Sequence, residues 1–151
     1  MFPFNVRVYG ILINEKQEVL ISDERTENVS FTKFPGGGLE YGEGLLNALI
    51  REYQEECNFE VAVVKHIYTT DFYEKSSFND SQIISIYYQV KNTSPIQIRT
   101  TNRAFDFDPD QKPDDNKLQS FRWVPIESVL IDDLTFKTDQ IAWKEFLKTI
   151  R

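Results

Sequence analysis

The chain has 151 residues and a formal net charge of −7, with 40% hydrophobic residues. This length holds one well-formed core, since single domains typically run to ~100–200 residues, and the acidity argues against duplex nucleic acid or an anionic membrane as partner, because both recruit basic surfaces. One cysteine, Cys57, excludes an internal disulfide and a cysteine-based zinc cluster, and a lone histidine, His66, excludes a multi-histidine metal site.

The opening MFPFNVRVYG lacks the basic region and long apolar block of a signal peptide, and no apolar run approaches the ~20 residues of a membrane span. The expected compartment is the cytoplasm. Val6 to Ile13 has strand composition, and the turn NEKQ leads into a second apolar run, EVLIS, which together predict a β-hairpin. DERTENVSFTKF then reads as a loop ending at Pro35 and a run of glycines.

From Leu45 to Cys57, the positions Leu46, Leu49, Ile50, Tyr53 and Cys57 recur at helical spacing and predict an amphipathic helix. Strands are expected in VAVVKHIYTT, SQIISIYYQV and PIQIRT. A long polar segment, Thr100 to Gln119, precedes a last strand SFRWV and a short turn-like helix PIESVL. Thr138 to Ile150 closes the chain as a helix with Trp143, Phe146, Leu147 and Ile150 on one side. Strands on both sides of a central helix, with a second helix at the end and no linker between, predict one α/β domain spanning residues 1–151 with a mixed sheet between helices.

The segment PGGGLEYGEGLLNALIREYQEEC is where chemistry concentrates. Five of the six glycines fall between Gly36 and Gly44, allowing close backbone approach to a ligand. At 100° per residue Glu52, Glu55 and Glu56 share an arc of about 100° on the helix that follows. Like charges so placed repel by ~0.2–0.5 kcal/mol per pair, a cost explained if they converge on a hard divalent cation such as Mg²⁺ or Mn²⁺. An acidic run alone reads as a solvated face. A glycine loop running into it changes that reading.

This segment resembles the Nudix box, G-x5-E-x7-R-E-U-x-E-E-x-G-U, with Gly37, Glu43, Arg51, Glu52, Glu55 and Glu56 at the required spacings. Tyr53 stands where the box has an aliphatic residue and Asn58 where it has its last glycine, while Phe59 is a loose match to the final bulky position. Asparagine is the next-best residue for a left-handed helix cap, so neither departure removes a catalytic group. RWVPIESVL is similar to the ending of many family members.

The resemblance implies the Nudix fold, an α/β/α sandwich with a central mixed β-sheet, and hydrolysis of a nucleoside diphosphate linked to another group. Glu52, Glu55 and Glu56, with the Gly36 carbonyl, would bind Mg²⁺ or Mn²⁺, which neutralises the diphosphate and activates a water. Arg51 would orient the carboxylates and Glu43 would hold the loop–helix junction. The general base in this family often comes from a later loop, and Asp114, Asp115 and then Glu74 are the candidates.

Arg7, Arg25 and Lys33, with Gly37 and Gly38, are candidate phosphate contacts, and Tyr87, Tyr88, Phe72 and Trp123 are candidate stacking partners for a base. Asp106, Asp108 and Asp110 imitate the start of an EF-hand loop, but Gln111 and Lys117 occupy its essential glycine and glutamate positions. The expected partner is a small-molecule nucleotide, with a homodimer left open. The competing reading is a non-catalytic, nucleotide-binding regulatory module on the same fold.

Overall fold

A computed structural model describes residues 3–112 and 116–151. The chain forms β1 (Phe4–Leu12), β2 (Glu18–Thr26), β3 (Val29–Lys33), β4 (Gly36–Gly38), α1 (Leu45–Cys57), β5 (Val61–Thr69), β6 (Gln82–Asn92), β7 (Lys117–Pro125), two 3₁₀ turns and α2 (Lys137–Thr149). Strand order β4–β1–β6–β5 makes a four-stranded mixed sheet in which β1 runs parallel to β6, and β3–β2–β7 makes a smaller antiparallel sheet.

Both faces of β1 and β2 are covered over most of their length. In β1, Val8 and Leu12 point to the core beneath α1, while Tyr9 and Ile11 point to the core beneath α2, as the two-residue side-chain period requires. In β2, Leu20 joins the first core, and Val19 and Ile21 join the second. The same parity carries Ser22 and Glu24 toward α1. This is the sandwich of helices about a mixed sheet that the sequence implies.

The expected hairpin survives only at its tip, where Ile13 bridges Val19 and the Asn14 N–H donates to the Glu18 carbonyl at 2.9 Å. Beyond that point β1 and β2 part into different sheets, because each is apolar on both faces and takes neighbours on both edges. DERTENVSFTKF is largely strand rather than loop: it completes β2 and builds β3 through Glu27 and Asn28, with φ of 45° and 70°. Two positive φ values fit a type I′ turn, but glutamate is a weak signal for one. PIQIRT forms no strand. Only Thr100 bridges, to Phe121, while Ile96 and Ile98 lie against the α1-side core.

α1 starts after Gly44 without a side-chain cap and ends at Asn58, whose left-handed φ of 56° lets its N–H donate to the Gln54 carbonyl at 3.1 Å. Its buried arc holds Ala48, Leu49, Tyr53 and Cys57. Leu46 and Ile50, expected on the apolar stripe, are 45% and 37% exposed, because the inward arc is rotated toward Ala48 and Glu52. α2 buries Ala142, Trp143 and Phe146, whereas Ile150 lies past its last turn and is exposed. Cys57 is buried, and burial pushes its thiol pKa up. His66 is exposed and hydrogen-bonds Thr69 Oγ1 at 2.8 Å. Among the described residues no helix is long and apolar enough to cross a membrane.

Tyr53 fixes α1 to β1. Its hydroxyl donates to the Gly10 carbonyl at 3.1 Å, and a Cβ on Gly10 would meet the Tyr53 hydroxyl oxygen at 2.5 Å. Gly10→Ala is therefore expected to cost about 1–3 kcal/mol by overpacking, read from urea unfolding; unchanged stability would mean that α1 is free to move off β1.

Candidate active site

The glycines following Pro35 form the edge strand β4, with Gly37 opposite Val8 and Gly38 opposite Arg7 of β1. α1 then crosses this edge. Glu52 packs directly on Gly37, where an added Cβ would lie 2.6 Å from the carboxyl carbon of Glu52. The absence of a side chain at Gly37 is what lets a carboxylate reach the sheet. Gly36 has φ 146° and its Cβ position falls 2.1 Å from the Val8 carbonyl oxygen, so only glycine fits there.

Arg51 gathers the box. Its Nε and Nη2 donate to the two carboxylate oxygens of Glu43 at 3.0 and 2.6 Å, and Nη2 also donates to the Gly38 carbonyl at 3.0 Å. Nη1 reaches Glu52 at 3.0 Å and Glu55 at 3.2 Å. Glu43 in turn accepts from the Glu40 N–H at 2.9 Å, closing the loop before α1. The Arg51 hydrogen bond holds the Glu43 carboxyl below the usual carboxylate range. Glu52 moves the other way: desolvation raises its pKa, Glu56 adds to this, and Arg51 only partly opposes it.

Glu56 faces a second group of charges. Lys117 Nζ lies 3.0 Å from Glu56 and 3.1 Å from Glu24. Glu24, 1% exposed, also pairs with Lys33 at 3.0 Å and accepts from Ser22 Oγ at 2.8 Å. Lys33, 5% exposed, donates to the carbonyls of Phe34 and Gly36 at 3.3 Å each and lies over the Tyr9 ring. Burial works against the charge on Lys33, but Glu24 and then Glu56 raise its pKa overall. Two carboxylates and two ammonium groups thus neutralise one another beside β4.

A cavity of about 450 Å³ joins these parts. It is lined by Gly36, Gly37, Gly38, Glu52, Glu56 and Lys117, together with Arg7 and Lys33. The same lining includes Phe31, Phe78 and Phe136, with ring centroids 5.6 and 5.5 Å from Phe31, and Asp139 at the start of α2. Asp139 accepts from the Tyr87 hydroxyl, while its Oδ2 has no hydrogen-bond partner among the described residues. Burial pushes its carboxyl pKa up to about 7 against the pull of the Tyr87 hydrogen bond.

Of the residues expected from sequence, the cavity collects Arg7, Lys33, Gly36, Gly37, Gly38, Glu52, Glu56 and Glu74. Glu55 lies outside it, exposed and paired with Arg51. Arg25 is also elsewhere, bonded to Ser30 at 3.1 Å and over Phe107, beside a separate depression with Asn116 and Leu118. Asp114 and Asp115 fall outside the described residues. Tyr87 is core, Tyr88 packs edge-on to His66, Lys137 lies over the Phe72 ring, and Trp123 packs on the α1-side core. Phe31, Phe78, Phe136, Glu24 and Asp139 line the cavity without having been expected. Glu24 follows the apolar run EVLIS at the parity of Leu20, and that alternation was its one signal.

Among the described residues no three carboxylate, imidazole or thiol groups converge as a preformed metal cage. The donor set nevertheless fits a hard divalent ion: Glu52 is seated on Gly37, and Glu56 and Glu24 already flank a cation, the Lys117 ammonium.

The family model described as NUDIX domain matches residues 3–144, and the chain belongs to that family. With all three box glutamates present, it is a pyrophosphohydrolase acting on phosphorus-containing anhydrides. Its fold is similar to the solution structure of the E. coli ORF135 protein, at a TM-score of 0.71 and 18% identity over 99% of this chain and 92% of that one. It is also similar to the MutT protein from Methanosarcina mazei Go1, at 0.69 and 17% over 99% and 97%. An ADP-ribose pyrophosphatase from Streptococcus suis 89-1591 matches at 0.58 and 12% over 95% and 92%. No curated protein matches the sequence.

Gly37→Ala is expected to push Glu52 off β4 and to lower kcat by about 10²-fold, the scale of a 1 Å misplacement, while far-UV circular dichroism stays that of the parent. Asp139 gives a pH signature. A carboxyl raised from 3.8 to about 7 contributes stability that is fully present below the unfolded value and lost as pH rises through 7. Thermal scans between pH 4 and 8 are expected to show Asp139→Asn gaining on the parent as pH rises, and parallel curves would refute the assignment.

Proposed function

We propose that the protein hydrolyses the diphosphate linkage of a nucleoside diphosphate joined to a further group, with Mg²⁺ or Mn²⁺, releasing a nucleoside monophosphate. The observation that carries this reading is that box residues, cations and three phenylalanines line one and the same cavity. Its volume lies within the range of ~300–1,000 Å³ for small-molecule sites. Glu52 and Glu56, with Glu55 at the rim, would hold the ion. When bound, the ion supplies charge neutralisation of the diphosphate oxygens and a water acidified for attack on phosphorus.

The chain's own groups supply the rest. Arg51 holds Glu52 and Glu55 in place from behind and ties them to the Gly38 carbonyl. Arg7 and Lys33 present positive charge along the cavity wall, where phosphates would lie, with Gly37 and Gly38 leaving the backbone open beside them. Glu74, half-buried on the same wall, is the candidate general base among the described residues. Phe31, Phe78 and Phe136 offer faces and edges for a planar base.

A panel of nucleotide sugars, dinucleotides and (d)NTPs incubated with Mg²⁺ or Mn²⁺, following nucleoside monophosphate release, tests the reading and selects the substrate class. Turnover of at least one class is expected. Tight nucleotide binding without turnover of any would favour the regulatory module. Glu55→Gln and Glu56→Gln are each expected to lower kcat by at least about 10²-fold through loss of stabilised charge, and full activity in both would reduce these carboxylates to surface charges.

A further inference from the structure

The box accounts for Glu52, Glu55 and Glu56 but not for the cation already placed among them. Lys117, at the first position of β7, sends its ammonium between Glu56 of α1 and Glu24 of β2, at 3.0 and 3.1 Å. The geometry follows from strand pairing. Lys117 is registered opposite Thr26, and Gln119 opposite Glu24, so both β7 side chains rise on the face that looks at α1. Gln119 Nε2 in turn donates to Ser22 Oγ at 2.9 Å. Glu24 is held on its other oxygen by Lys33, so it stays compensated without Lys117. Among the described residues Glu56 has no second ion pair at contact distance: its other oxygen meets Gln119 Nε2, at 3.5 Å, and Lys33 acts on it from farther away.

We propose that Lys117 is a resident counter-ion which holds Glu56 in the metal-free protein and must leave it when a divalent ion arrives, so that it lowers the affinity for metal. This rests on the proposed function in taking Glu56 as a metal ligand. An ammonium 3.0 Å from a carboxylate and a divalent ion on the same carboxylate would repel strongly. The lysine is the more exposed member of each pair. Lys117 is 32% exposed at its side chain, against 2% for Glu24 and 15% for Glu56, and it lines the cavity. Once released it can turn toward the phosphates of a bound substrate, so metal and substrate would reinforce each other's binding.

Mn²⁺ affinity, read from the electron paramagnetic resonance signal of free Mn²⁺, is the direct test. Lys117→Met and Lys117→Gln are expected to bind Mn²⁺ about fivefold or more tightly than the parent, the lower end of usual coupling between sites, while Lys117→Arg stays near the parent. In EDTA both neutral variants are expected to melt below the parent, and to gain more in melting temperature when Mn²⁺ is added. Unchanged or weaker Mn²⁺ binding in both neutral variants overturns the proposal. Glu56→Gln separates it from the reading beneath: if that variant binds Mn²⁺ as the parent does, Glu56 is no ligand and both ideas fall. If it binds weakly while the Lys117 variants do not tighten, only the counter-ion role falls.

Discussion

Negative charge turned inward is the constraint on which this structure depends. On a helix whose inner arc is set by Leu49 and Tyr53, Glu52 and Glu56 lie among the apolar residues rather than opposite them, and each has a side chain only 13% and 15% exposed. Unpaired carboxylates in such a place are costly to desolvate. The chain answers with Arg51 from the same helix and with two cations from distant parts of the sequence, Lys33 of β3 and Lys117 of β7. Glycine at β4 answers the steric half of the problem, since a carboxylate can stand over Gly37 only because no Cβ is there.

The same arrangement connects stability to function. Charges that compensate one another in the absence of ligand are the charges that a phosphoanhydride and its metal would engage, and they share the cavity lining with three phenylalanines. Asp139 shows the same economy. A buried carboxyl with one oxygen satisfied by Tyr87 and the other without a partner among the described residues is costly to ionise, so it weakens the fold as pH rises toward 7.

The box was legible from sequence because its chemistry is local: spacing along one helix fixes where the carboxylates go, and the glycines precede it directly. Asn58 as the left-handed cap was legible for the same reason. The split of β1 and β2 into two sheets was not, since the pattern of apolar residues tells which faces are buried and not which strand lies alongside. β3 was hidden by a turn made with Glu27, and Leu46 and Ile50 by an apolar stripe wider than the buried arc. The aromatic lining of the cavity comes from Phe31 in the middle of β3, Phe78 in the loop before β6 and Phe136 at the cap of α2, residues with no shared spacing. Arg25, by contrast, carried the right charge on the right strand and is turned away from the cavity by strand parity, one residue beyond Glu24.

The most direct test places a metal beside a phosphorus. Phosphorus-31 relaxation of methylene diphosphonate, titrated with the protein and Mn²⁺, is expected to be strongly enhanced by the parent and restored to the free-solution rate when Glu52 and Glu56 are both changed to glutamine. Enhancement that survives in the double variant, or that never develops in the parent, contradicts a divalent ion held by these carboxylates against a diphosphate.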